Sequence, residues 1–250
     1  MRHLFIFLVG SLCALTHAWA VDPVVITVSA ASSLTNAFKD MGPVFEGQYQ
    51  HIKLQFNFAA SGQLFQQISK GAPVDVFASA DAETMDWAEE QHWLINRSRK
   101  NFASNQLVLV VSKQAKYIPS KLSELAKPDY QKIALGLPAS VPAGHYAQAV
   151  LERQQLWHTL EPKLVRAQNV RQVLVYVGRG EVDAGFVYAT DVMTNDKVHV
   201  AMTVPTERKI LYPIALIKNS SYEKEAEQFV TFVNGPVGQA ILAKHGFGKP

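Results

Sequence analysis

The 250-residue sequence predicts an α/β protein, and three observations carry that reading. Apolar, β-branched runs alternate with amphipathic segments along the chain. The starts of several helices follow directly on strands. The chain is also long enough for one large domain or two lobes of ordinary size. Val24–Ala31 reads as the first strand and Leu34–Phe45 as a helix that Ser32 or Ser33 would cap. Ile52–Ala59 alternates as a strand, and Gly62–Lys70 is a short helix with Ser61 as its cap. Val74–Ser79 and Ala82–Gln91 repeat the pair, the helix carrying acidic residues in its first turn. After a polar stretch comes the apolar strand Gln106–Ser112. Strand Ile133–Leu137, helices Ala143–Arg153 and Val170–Arg179, and strands Ala184–Tyr188 and Leu211–Ile217 continue the series. Helices Tyr222–Phe232 and Pro236–His245 close it, the last ended by Gly246. Such alternation predicts mostly parallel sheets with helices on both faces.

The first twenty residues have a different character. Met1-Arg2-His3 is a short basic start, Leu4 to Leu15 is almost wholly apolar, and Ala18-Trp19-Ala20 ends the segment with small residues at two spaced positions. A run of about twelve apolar residues is too short to cross a bilayer, which takes ~20. The segment is therefore expected to be a signal peptide at residues 1–20, cleaved near Ala20, which sends residues 21–250 to the periplasm. Cys13 is the only cysteine. Leu12 before it is too large for a lipid-anchor site, and cleavage removes it, so the mature chain has no thiol chemistry. With 24 basic and 21 acidic residues and no basic stripe, the composition argues against a nucleic-acid surface. No later segment is apolar enough to embed the chain in a membrane.

The strand-to-helix junctions carry the chemistry. Ser32-Ser33, Ala60-Ser61-Gly62, Val141-Pro142-Ala143-Gly144 and Asn169-Val170 each open a helix. Every such start leaves N–H groups unpaired at the positive end of a helix dipole, and several converging at strand ends make an anion site. Taken singly, each of these residues is more often a structural cap.

The local spelling goes further. Ala30-Ala31-Ser32-Ser33-Leu34-Thr35-Asn36-Ala37, Phe58-Ala59-Ala60-Ser61-Gly62, the run from Gly71 to Asp81, Val141-Pro142-Ala143-Gly144-His145-Tyr146-Ala147 and Gly185-Phe186-Val187-Tyr188 occur in this order. Together they resemble the periplasmic molybdate-binding proteins of bacterial ABC importers, from about Val24 to Gly246. The resemblance implies a two-lobed, type II periplasmic-binding-protein fold with the ligand in the cleft. Lobe 1 would comprise 21–105 plus 213–250, and lobe 2 residues 106–212, with crossing strands near Gln106–Ser112 and Leu211–Ile217. It also implies capture of molybdate, and of tungstate alongside, for delivery to an inner-membrane permease by a monomer without a cofactor.

Residue by residue, the resemblance implies that Ser33 and Ser61 bind the oxyanion through hydroxyls, Ser61 also through its N–H. Ala143 and Val170 would donate backbone N–H groups, and the Tyr188 phenol would close the site. Ser32 stands where many relatives have Ala and is either a competing donor or a cap. Ala60 and Gly62 replace hydroxyl residues found in some relatives. This donor-only set suits a fully ionised oxyanion, which offers only acceptors. A protonated anion needs an acceptor, and no carboxylate is among these positions. Sulfate shares the acceptor-only character, so its rejection would depend on cavity size.

Other residues read more plainly. The eight His residues lack metal-site spacing. His145 is either at the cleft rim or a surface packing residue, and Arg171 reads as a helix-surface ion pair beside the site. Asp75 and Asp81 cap or pair, and Trp87, Trp93 and Trp157 read as packing on helix faces. Alternatives are a binding protein for sulfate or another small oxyanion and, from a different class, a secreted α/β hydrolase. The lack of a Gly-x-Ser-x-Gly elbow weighs against the hydrolase and for a protein that is not an enzyme.

Overall fold

The computed structural model describes residues 23–250; the export signal expected at residues 1–20, Cys13 included, lies outside the described residues. Two five-stranded sheets form the frame. The first runs β2 (Ile52–Ala59), β1 (Val24–Ala31), β3 (Val76–Ala78), β10 (Ile210–Leu216), β4 (Lys100–Asn105). The second runs β7 (Leu164–Ala167), β6 (Ile133–Gly136), β8 (Ala184–Tyr188), β5 (Leu107–Ser112), β9 (Val198–Val204). The two orders correspond position for position. In each sheet four strands point one way and one runs against them, β10 in the first and β5 in the second. The reversed strand is in each case the one the chain enters on arriving from the other sheet, so the sheets are mixed at that strand and parallel elsewhere.

Burial explains which strands announce themselves in sequence. Central strands β1 and β5 are apolar almost throughout because helices cover both faces. Edge strands β4 (KNFASN), β7 (LVRA) and β9 (VHVAMTV) are polar or alternating and were not legible as strands. An exposed sheet edge is kept polar to avoid pairing with other chains.

The nine α-helices of the described residues are α1 (Thr35–Gln48), α2 (Ser61–Ser69), α3 (Ala82–Glu90), α4 (Pro142–Arg153), α5 (Trp157–Leu160), α6 (Val170–Gly178), α7 (Ala189–Val192), α8 (Glu223–Asn234) and α9 (Pro236–Lys244). The first lobe's core is an aromatic cluster in which Phe38 and Phe45 of α1 meet Phe229 of α8 edge-on, with centroids 5.7 and 5.3 Å apart. Gly246, with φ of 81°, follows α9 as a left-handed stop. Trp157 is buried. Trp93 packs beyond the end of α3 rather than on it, and Trp87 is exposed, so only one of the three is a buried helix-face residue. No helix of the described residues is long and apolar enough to cross a membrane.

Candidate anion site in the cleft

Ser33, Ser61, Ala143, Val170 and Tyr188 all line one cavity between the two sheets, with an empty volume of about 190 Å³. Ala31, Ser32, Ala60, Ala80, Val141 and Pro142 complete its wall, so no charged side chain borders it.

Local geometry explains each position. After β1 the chain makes one 3₁₀ turn, Ser32–Leu34, before α1, and neither serine caps a helix through its side chain. That corrects the capping expectation. Thr35 Oγ1 instead donates to the Ser32 carbonyl at 2.7 Å, and Ser33 Oγ lies 3.0 Å from Tyr212 Oη. Ser61 is likewise not a cap: Ala60 holds that position, and Ser61 is the first residue of α2. Its Oγ accepts the Ala80 N–H at 3.0 Å, across the wall of the cavity.

Pro142 opens α4, with Ala143 next. The helix begins hard against the end of β6: a Cβ on Gly144 would lie 1.9 Å from the Gly136 carbonyl oxygen. Only glycine permits that approach, and it is what brings the Ala143 amide to the cavity. Val170 opens α6, whose cap is Asn169; its side chain accepts the Gln172 N–H at 3.0 Å. Ser61, Ala143 and Val170 therefore present first-turn amides, which have no carbonyl a turn back within their helix. Three helix dipoles direct their positive ends into one small space.

Tyr188 ends β8 with its side chain fully buried. Its hydroxyl donates across the cleft to the Ala80 carbonyl at 3.2 Å, and burial holds its pKa well above the ordinary phenol value, so it is a neutral donor.

Further bonds hold the lobes together around the cavity. Gly62 N–H donates to the Ser140 carbonyl at 3.0 Å, and a Cβ on Gly62 would come within 2.8 Å of Ser140 Cα. Arg171 stays outside the cavity. Its Nη2 donates to the Ser33 carbonyl at 3.2 Å, and its Nε lies 2.7 Å from Asp191 Oδ1 in an ionic contact whose N–H is not aligned for a hydrogen bond. The ion pair expected of Arg171 thus exists, but with a fully buried partner. Burial pushes the Asp191 carboxyl up to about 6, and the adjacent Arg171 and the Tyr188 N–H hold it down from a higher value. His145 sits at the rim, Nδ1 2.8 Å from Glu83 Oε2 of the opposite lobe. Asp81 caps α3 through Thr84 N–H, and Asp75 accepts the Thr27 N–H and the Ser220 hydroxyl.

Three polar residues near the site were not legible in sequence: Tyr212, Asn105 and Asp191. One signal was available for Tyr212. A phenol in an otherwise apolar central strand (ILYPIAL) needs a buried partner.

The family model for bacterial extracellular solute-binding proteins matches residues 26–248. YvgL of Bacillus subtilis (strain 168), described as an ABC-transporter substrate-binding lipoprotein, is 36% identical over 90% of this chain and 86% of its own. The molybdate-binding protein ModA of Escherichia coli (strain K12) is 35% identical over 89% of this chain and 88% of its own. Among solved structures, the periplasmic molybdate-binding protein of Azotobacter vinelandii superposes with a TM-score of 0.78 at 24% identity, covering 90% of this chain and 99% of that one. At that identity the superposition speaks for the fold alone, which is the two-lobed type II periplasmic-binding-protein fold. With the family model matched along nearly all of the described residues, the chain belongs to the bacterial extracellular solute-binding proteins, as a relative of the Escherichia coli molybdate-binding protein.

Proposed function

We propose that the protein captures molybdate, and tungstate alongside it, as the fully ionised oxyanion outside the cytoplasm and delivers it to the permease of an ABC importer. The hydroxyls of Ser33 and Ser61, the amides of Ser61, Ala143 and Val170, and the phenol of Tyr188 are its ligands. The Tyr188 proton is then shared between the anion and the Ala80 carbonyl. Residues 21–105 with 213–250, and 106–212, act as the two lobes of a monomer, exported by the signal at residues 1–20. No cofactor is required.

One observation carries this reading: an uncharged, donor-rich cavity of about 190 Å³ at three helix starts. Burying an unpaired dianion would be prohibitive, but preformed dipoles replace its hydration shell without reorganising. A second reading, sulfate, keeps the same donors, and the identity of the curated relatives favours molybdate over it. Equilibrium dialysis of residues 21–250 against sodium molybdate, with molybdenum and protein quantified together, should give one molybdenum per chain. Retention no higher than that of a Ser33→Ala, Ser61→Ala double variant would refute the assignment.

A further inference from the structure

Two of the three serine hydroxyls that line the cavity, those of Ser33 and Ser61, are held as donors by groups behind them, and this bears on which anions the site refuses; the inference rests on the anion reading above. Asn105 stands where the chain leaves the first sheet for the second. The Gln106 N–H donates to Asn105 Oδ1 at 2.9 Å. A backbone amide can only donate, so this contact fixes which end of the side chain is oxygen and which is the amide nitrogen. Asn105 Nδ2 then donates to Tyr212 Oη at 3.2 Å and to Thr190 Oγ1 of the other lobe at 2.9 Å.

Tyr212 is fully buried, and its oxygen already accepts from Asn105. Its own proton has one acceptor in range among the described residues, Ser33 Oγ at 3.0 Å. Burial and the buried Asp191 nearby keep Tyr212 protonated, its pKa well above the ordinary phenol value. A hydroxyl has one proton. Once Ser33 Oγ receives Tyr212's, its own is left to point away from Tyr212, toward the cavity it lines. The pairing of β10 with β4 shifts register between Tyr212 and Pro213. Ser61 is held the same way, its Oγ accepting the Ala80 N–H at 3.0 Å. The Ala80 carbonyl, an acceptor at the wall, is engaged by Tyr188 Oη at 3.2 Å.

We propose that Tyr212, oriented by Asn105, is a specificity-determining positioning residue: it locks Ser33 as a donor and so disfavours oxyanions that carry a proton, such as hydrogen phosphate. An anion with a P–OH group must donate that proton; Ser33 Oγ, already accepting from Tyr212, keeps one lone pair, and taking the P–OH proton there would turn its own donor away from the same anion. Charge and size alone do not make this distinction, since hydrogen phosphate is also a small dianion.

Two variants test this. Tyr212→Phe keeps the ring and removes the hydroxyl. Asn105→Asp is nearly isosteric and reverses the relay: the new carboxylate accepts from Tyr212, Tyr212 accepts from Ser33, and Ser33 turns a lone pair to the cavity. Molybdate and phosphate affinities are measured by calorimetry at mildly alkaline pH, where phosphate is the hydrogen phosphate dianion, with thermal melts alongside. The expected result is a fall in the molybdate-to-phosphate affinity ratio of at least about tenfold in each variant, the size of one charge-assisted hydrogen bond. The negative charge introduced by Asn105→Asp weakens both dianions alike and cancels in the ratio. Equal weakening of both anions, or no change in either, overturns the inference while leaving the anion site intact. If the wild-type protein binds neither anion, the anion reading fails, and this inference with it. Should Tyr212→Phe not fold, Asn105→Asp decides alone.

Discussion

Replacing Ser61 by Ala separates what the hydroxyl does for the fold from what it does for the ligand. Its oxygen accepts the Ala80 N–H at 3.0 Å in a fully buried setting, so the truncation strands a backbone donor. An unsatisfied buried group of this kind costs about 1–3 kcal/mol of stability. For a 228-residue folded region, that is a Tm lower by roughly 2–12 °C. On the proposed reading, the hydroxyl's proton is donated separately to the bound dianion. Losing a hydrogen bond to a charged group costs about 1.5–3 kcal/mol, a molybdate Kd about 10- to 150-fold higher. Calorimetry gives the second quantity, and differential scanning calorimetry without ligand gives the first. A variant with lowered Tm and unchanged Kd would refute the claim that Ser61 donates to the anion, leaving it a structural acceptor only.

Three further outcomes follow from named contacts. Gly144→Ala places a Cβ 1.9 Å from the Gly136 carbonyl oxygen, so α4 must shift at its start; stability should fall by at least the ~1–3 kcal/mol of an overpacked site, and molybdate binding should fall with it. Preserved Tm in a denaturation scan would contradict that packing. Burial raises the Asp191 carboxyl from 3.8 to about 6, so its protonated form favours the fold, and the stability this contributes on the acid side is lost as pH rises through about 6. Asp191→Asn does not titrate, so its Tm relative to wild type should improve between about pH 4 and pH 7, and parallel profiles would exclude the raised pKa. His145 and Glu83 are each over two-fifths exposed, so His145→Ala should change the molybdate Kd by less than about fivefold in calorimetry; a larger effect would make the rim pair part of the binding site.

How much of this was legible in the sequence differs between elements for physical reasons. Strands Val24–Ala31, Ile52–Ala59 and Ala184–Tyr188 lie where the apolar pattern puts them, since each borders the core and stops at a turn signal. Strands β4, β7 and β9 were hidden because each is short or broken up by polar residues, whereas β2, also at a sheet edge, keeps an alternation that reads as a strand. The family resemblance brought five residues forward, and the structure gathers all five around one cavity. What the spelling did not reveal is the function of the serine oxygens. Serine before a helix reads as a cap, yet Ser33 and Ser61 turn to partners 179 and 19 residues away in sequence, Tyr212 and Ala80. Such long-range partners leave no local trace. Arg171 shows the same limit: its place on the helix surface was legible, but not the buried Asp191 that holds it or the Ser33 carbonyl it reaches across the cleft.

The most direct test of the central claim is titration calorimetry of residues 21–250 with molybdate, tungstate, sulfate and phosphate under one set of conditions. Molybdate and tungstate are expected to bind at one site per chain, sulfate much more weakly, and phosphate weakest of the four. Sulfate binding as tight as molybdate would contradict the ligand assignment.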